Sequence, residues 1–204
     1  AHLKFWVEVD ICNKSKISTS IQKDNPNYII HLAARTDLNE NTNLDGYRAN
    51  IDGVRNIMDS AASLMTLKRI IVASSMLVCQ LGYTPSGFDD YAPNSLYGES
   101  KVYTEKIVKE YNIEWLIVRP TSIWGPWFGE PYKNFFNLVI NGFYFNIPAK
   151  YSSTKTYGYV ENACMQIFNL LISEDPSIKR SYFYLGDIEP LNITDWAIRI
   201  RRLN

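Results

Sequence analysis

Apolar and polar positions along the chain follow two alternating rhythms. The nearly continuous apolar runs "YIIHLAA" (28–34), "RIIVASS" (69–75) and "EWLIVRP" (114–120) predict strands buried on both faces. The alternating "WVEVDI" (6–11) and the run "SYFYLGD" (181–187) predict two more. Between them, helical spacing predicts a helix over Lys14–Asp24, with Ile17 and Ile21 one turn apart. It also predicts a long helix over Leu44–Met65, carrying Leu44, Tyr47, Ile51, Val54, Met58, Ala61 and Met65. A third helix starts at a cap on Asn94 or Ser95 and runs to about Tyr111. Further helices are predicted over Tyr132–Asn141, over Val160–Ile172 with Val160, Cys164, Ile167 and Leu171 on one face, and from Thr194 onward. Gly82–Pro93 and "WGPWFGEP" (124–131) read as loops.

Strands alternating with helices predict an α/β fold with a parallel sheet covered on both faces. Ligands of such sheets bind outside the carboxyl ends of the strands. That rule directs attention to Asp10, Ala33–Asp37, Ser74–Cys79 and Pro120–Trp124.

Composition narrows the function classes. Lys+Arg and Asp+Glu are 21 each in 204 residues, so no basic excess suggests nucleic acid and no charge block suggests a membrane surface. No apolar run reaches the length of a membrane span. Three separated cysteines (Cys12, Cys79, Cys164) and two histidines support neither a metal site nor a disulfide framework, and a reducing cytoplasmic setting is the expectation. His31, in the middle of an apolar run, reads as a core histidine. Asp89-Asp90 reads as a solvated turn, and the Arg199–Arg202 cluster as a solvated helix face.

The chemistry stands out in "NSLYGESKVYTEKI" (94–107), where Tyr97 and Lys101 lie four residues apart and so share a helix face. A free phenol, with a pKa near ~10, is a poor base at neutral pH. A neighbouring ammonium favours the phenolate, so the pair could take a proton from a hydroxyl while the carbon beneath loses hydride. Ser75, at the end of the preceding strand, could hydrogen-bond the same hydroxyl.

The stretches "VDI" (9–11), "IIHLAA" (29–34), "YRANIDGVRNI" (47–57), "IIVASSMLV" (70–78), "LYGESK" (96–101) and "IVRPTSIWGP" (117–126) occur in an order that resembles the extended short-chain dehydrogenase/reductase family. The branch is that of NAD-dependent nucleotide-sugar epimerases and dehydratases. The weaker matches "TKTYGYVEN" (154–162) and "YFYLGD" (182–187) follow in the same order, so the resemblance covers nearly the whole chain. It implies a Rossmann-like doubly wound sheet over residues 1–126 and a small mixed substrate-binding region over 127–204, with segments returning to the sheet.

The resemblance assigns Tyr97 as acid/base, with Lys101 and Ser75 assisting. It assigns Asp10, Ile11, Leu32, Ala33, Ala34, Asn50, Ser74 and Pro120, along with Tyr97 and Lys101, to an NAD site, NADP remaining open. Thr36, Met76, Ser122 and Lys155 fall where the sugar nucleotide would bind. A homodimer is implied as well. The reaction expected is epimerisation by transient oxidation at C4. The alternatives are a keto-sugar or other carbonyl reductase using NAD(P)H, and a non-catalytic remnant.

Some positions depart from the family pattern. Met76 and Leu77 stand where sugar dehydratases carry Asp-Glu and cannot move protons, which disfavours dehydration. Cys79 is out of place for the cysteine of the 3,5-epimerase branch and reads as a small buried hydrophobe. Ser122 replaces an Asn, and Lys155 stands where Arg is commoner. Trp124, Trp127 and Phe128 fit a sugar pocket or a core equally. No GxxGxxG loop occurs, and the resemblance therefore predicts a piece of a longer chain rather than a protein that dispenses with that loop.

Overall fold

The structure, a computed structural model, describes residues 2–145 and 154–203. The chain divides into two compact units: residues 1–119 with 171–184, and residues 120–170 with 185–204.

In the first unit, four strands lie side by side in the order β1 (Tyr28–His31), β2 (Arg69–Ala73), β3 (Trp115–Pro120) and β7 (Ser181–Leu185). The pairs β1–β2 and β2–β3 are parallel, with Ile30 opposite Ile71 and Val72 opposite Ile117. Strand alternation sends Ile70, Val72, Trp115 and Ile117 to one face. There they pack with Ile17 of helix α1 (Lys14–Asp24), Met58 of α2 (Val54–Ala62) and Ile107 of α3 (Leu96–Lys109). Ile71, Leu116 and Val118 on the opposite face are equally inaccessible, which is why β2 and β3 read as unbroken apolar runs.

Met58 is fully buried in this cluster, whereas Met65 is 99% exposed. Met58→Ala is expected to cost about 2–5 kcal/mol. Met65→Ala should leave the urea midpoint unchanged, and equal effects at the two sites would contradict the assigned core.

Three expectations need correction. Trp6–Ile11 forms no strand, because no described strand lies alongside it, and Ile11 lies in a turn; Trp6 and Val7 are exposed, and Val9 and Ile11 pack against the core. β1 is shorter than its apolar run and ends the sheet order, leaving Tyr28 and Ile30 exposed. The long helix over 44–65 is broken into a 3₁₀ turn (Leu44–Tyr47), a wide π turn (Ala49–Gly53) and α2. Ile11 packs closely against this break: a Cβ on Gly53 would lie 2.7 Å from Ile11 Cδ1.

Helix starts follow the sequence closely. Asn13 caps α1 by accepting from Lys16 N (3.1 Å), and Ser95 caps α3 by accepting from Gly98 N (3.1 Å).

The second unit holds β4 (Ser122–Trp124) parallel to β6 (Tyr157–Tyr159), and β5 (Thr154–Lys155) antiparallel to β8 (Leu191–Asn192). Its helices are α4 (Tyr132–Ile140), most of α5 (Val160–Ile172) and α6 (Ile193–Leu203). Trp196 is the centre of an aromatic cluster with Trp124 (4.8 Å between centroids), Tyr157 (4.9 Å) and Phe135 (5.1 Å). Trp124 is half-buried in this cluster, while Trp127 is wholly exposed. On α5 the buried position is Ala163; Cys164, expected on the inner face, is exposed.

Candidate active site

The carboxyl end of β2 meets the first turns of α3. Ala73 ends the strand, Ser74 follows it, and Ser75 caps a short 3₁₀ turn (Met76–Val78) by accepting from Leu77 N (3.1 Å). The helix can come this close because residue 98 is glycine: a Cβ there would sit 2.3 Å from the Leu77 carbonyl oxygen. The approach brings Ser75, Tyr97 and Lys101 together, all three buried.

Burial pushes the Tyr97 phenol above its ordinary pKa; the hydroxyl of Ser75, hydrogen-bonded to it, pulls it down, and neighbouring Tyr47 pushes it up again. Tyr47 is itself fully buried, with its ring 6.0 Å from that of Tyr97 and its hydroxyl donating to the Asp37 carbonyl (2.7 Å). The expectation that Lys101 would lower the Tyr97 pKa is not met. The Lys101 ammonium donates to the Ala73 carbonyl (2.9 Å) and lies 6.0 Å from the phenol ring centroid, so burial dominates. Burial also lowers Lys101 itself, to about 8, with Glu105 opposing the shift.

Asn50 is fully buried and fully engaged. Its amide accepts from Arg35 N (2.9 Å) and donates to Arg35 O (3.0 Å) and Ser100 Oγ (2.9 Å), pinning the chain after β1 to α3. Leu32 is exposed, as are Ala33 and Thr36; Ala34 and Met76 are half-buried. Asp10 is exposed and accepts from Cys12 N (2.9 Å), and Ile11 packs into the core. Pro120, Ser122 and Lys155 belong to the second unit. There Ser122 is hydrogen-bonded to Tyr132, and Lys155 lies 4.8 Å from the Tyr157 ring centroid.

Other polar residues resolve as follows. Cys79 is buried and donates to the Asp90 carbonyl (3.3 Å). Asp89 and Asp90 are tied down rather than simply solvated: Asp89 pairs with Lys109 (2.6 Å), and Asp90 accepts from Tyr83 (2.7 Å) and Ser86 (2.8 Å). His31 is a core residue but not a satisfied one, for its Nε2 has no hydrogen-bond partner.

Burial and the nearby Lys101 charge lower His31 to about 4. An unfolded histidine titrates near ~6.5. Between these values the unfolded chain holds a proton that the folded chain lacks, so stability falls as pH drops from 6.5 toward 4. His31→Gln is expected to flatten that part of the stability curve measured by urea unfolding; an unchanged slope would assign the acid sensitivity elsewhere.

Sequence reasoning missed Glu105 and Arg119. Both are fully buried, and Arg119 grips Glu105 through Nε to Oε1 (2.9 Å) and Nη2 to Oε2 (2.8 Å). The spacing offered a signal, since Glu105 follows Lys101 by the same four residues that separate Lys101 from Tyr97.

The sequence profile of the NAD dependent epimerase/dehydratase family matches residues 1–167, and the chain belongs to this family. No curated protein matches the chain in sequence. Among solved structures, the Bordetella bronchiseptica enzyme WbmG in complex with NAD superposes with a TM-score of 0.77 at 16% identity, over 97% of this chain and 62% of that one. The UDP-glucuronic acid 4-epimerase of Bacillus cereus, in complex with UDP-glucuronic acid and NAD, gives 0.80 at 18% identity, over 97% and 64%. The dTDP-4-dehydrorhamnose reductase of Bacillus anthracis, in complex with NADP, gives 0.75 at 24% identity, over 96% and 68%. At these identities the likeness is one of fold. The chain spans less than two thirds of the first two structures' length. Among the described residues, no helix is long and apolar enough to cross a membrane.

Proposed function

We propose that the protein carrying this chain is an NAD-dependent epimerase that inverts C4 of a nucleotide-linked sugar by transient oxidation. The observation that carries the reading is the buried Ser75–Tyr97–Lys101 group at the carboxyl end of a central parallel strand.

The residues fit the nicotinamide-ribose end of the cofactor. Lys101 carries three N–H donors and gives one to Ala73, which leaves donors for a ribose diol. Leu32 and Ala33 offer exposed apolar surface just past β1. Bound NAD would supply the hydride acceptor and a positive charge. Burial holds the unliganded Tyr97 phenol above its ordinary pKa, so the positive charge of bound NAD would be what favours its ionisation; once ionised, Tyr97 takes the proton from the C4 hydroxyl as the C4 hydrogen leaves as hydride, and returns it after the keto sugar has presented its other face. The Ser75 hydroxyl, already hydrogen-bonded to the phenol, favours the ionised form. Lys101, on the next turn of α3 and bonded to the Ala73 carbonyl, serves the ribose rather than the ionisation of the phenol. Met76 and Leu77 lack the protons that loss of water would need.

The test incubates the full protein with NAD and UDP-glucuronic acid and follows the anomeric protons by NMR. Formation of the C4 epimer with no net change in nicotinamide absorbance supports the reading. One-way consumption of NADPH with a keto sugar would assign a reductase instead.

A further inference from the structure

Three successive residues at the end of β2 are each tied to a different turn of α3. The Ser75 hydroxyl meets the Tyr97 phenol. The Ala73 carbonyl accepts from Lys101 Nζ (2.9 Å), and Ser74 Oγ donates to Glu105 Oε1 (2.5 Å). Tyr97, Lys101 and Glu105 are spaced four residues apart and so form one stripe of the helix. The third member of this stripe has no part in the proton and hydride steps described above, yet it is the most elaborately held.

Glu105 is fully buried, with Arg119 as a fixed counter-charge gripping both carboxylate oxygens. Arg119 in turn donates to the Phe88 carbonyl (2.6 Å) and the Tyr184 hydroxyl (3.2 Å). The rings of Tyr182 and Tyr91 flank its guanidinium at 5.2 and 5.7 Å. A buried ion pair is a poor source of stability compared with an apolar replacement of the same volume. Its place one turn along from Lys101 gives it another use.

The groups that face Lys101 are the unpartnered His31 of β1, the Ala73 carbonyl of β2, and Tyr97 and Glu105 on α3 itself. Glu105 is the acidic member of that set. We propose that Glu105 is a positioning residue acting through Lys101: its carboxylate, fixed by Ser74 and Arg119, keeps the Lys101 ammonium charged and in place beside Tyr97. This rests on the reading of Tyr97 and Lys101 as the working pair. The direction of the electrostatics agrees, since burial lowers Lys101 and Glu105 raises it.

The test follows the titration of Lys101 by NMR in protein labelled at lysine Cε, with no cofactor or sugar added; the signal is assigned by its loss in Lys101→Arg. Glu105→Gln keeps the shape and the bond to Ser74 but removes the charge. It is expected to lower the Lys101 midpoint by about one pH unit, and Glu105→Asp to restore most of it. A purely structural Glu105 would lower the melting midpoint and leave the Lys101 titration where it was, which overturns the proposal. If Glu105→Gln does not fold, the apolar pair Glu105→Leu with Arg119→Met removes both charges at similar volume. The Lys101 midpoint in that protein must lie below that of Arg119→Met alone, the comparison that isolates the carboxylate, and equal midpoints are equally fatal. Failure of the epimerase assay would remove the functional reading while leaving this titration intact, so the two outcomes are separable.

Discussion

Tyr97→Phe is expected to lower epimerase turnover by about a hundred- to ten-thousand-fold, the usual contribution of a positioned acid/base. The substitution removes one oxygen from a residue that is already buried. Its ring packs against Tyr47, and that contact survives in phenylalanine. The fold should therefore hold, and NAD affinity, read from quenching of tryptophan fluorescence, should change little. A Phe variant that turns over at close to the normal rate would remove Tyr97 from the chemistry. A variant that loses cofactor binding in the same proportion as turnover would make it a binding residue instead.

Arg119→Ala is expected to destabilise the protein by about 3–5 kcal/mol, because it leaves the Glu105 carboxylate buried without its counter-charge. The two side chains are both 0% exposed, so solvent cannot compensate. In a chain of this size each kcal/mol moves the melting midpoint by roughly 2–4 °C, which makes the expected drop roughly 6–20 °C. Arg48→Ala is the control. Arg48 pairs with Asp52 at 3.0 Å, but the side chains are 68% and 51% exposed, and an exposed pair contributes about 0–1 kcal/mol. Equal effects of the two substitutions on the thermal melt would mean that the Glu105–Arg119 pair is not the buried anchor described here.

What was legible in the sequence depended on how local the determining physics was. The limits of α1 and α5 follow the sequence, α1 because Asn13 caps it and Asn25 ends it in a left-handed conformation. β2 and β3 announced themselves because both faces are buried and all their positions but Arg69 and Arg119 are apolar. The segment Trp6–Ile11 carries the same alternation as a strand, yet strand formation needs a partner, and pairing is not written in the segment itself. The break in the helix over 44–65 was hidden for a similar reason. At the break Asn50 reaches out to Arg35 and Ser100 and Ile11 crosses Gly53, and both contacts are remote in sequence.

At the site, the Tyr97–Lys101 spacing was readable because one helix carries both. The direction of the Lys101 ammonium was not. A helical register fixes which face a side chain leaves from, but the choice between the phenol and the Ala73 carbonyl depends on where β2 ends. The same limit applies to Arg119, whose partner Glu105 lies on another element. A charged residue inside an apolar run was visible; its counter-charge was not.

The most direct test of the account starts with UDP-glucuronic acid carrying deuterium at C4, incubated with NAD and the full protein. A C4 epimer that still holds the deuterium is expected, because the hydride lifted from C4 returns to the same carbon without exchanging with water. Epimer with the label lost to solvent would mean that C4 is inverted by removing a proton rather than a hydride, and would rule out transient oxidation at C4.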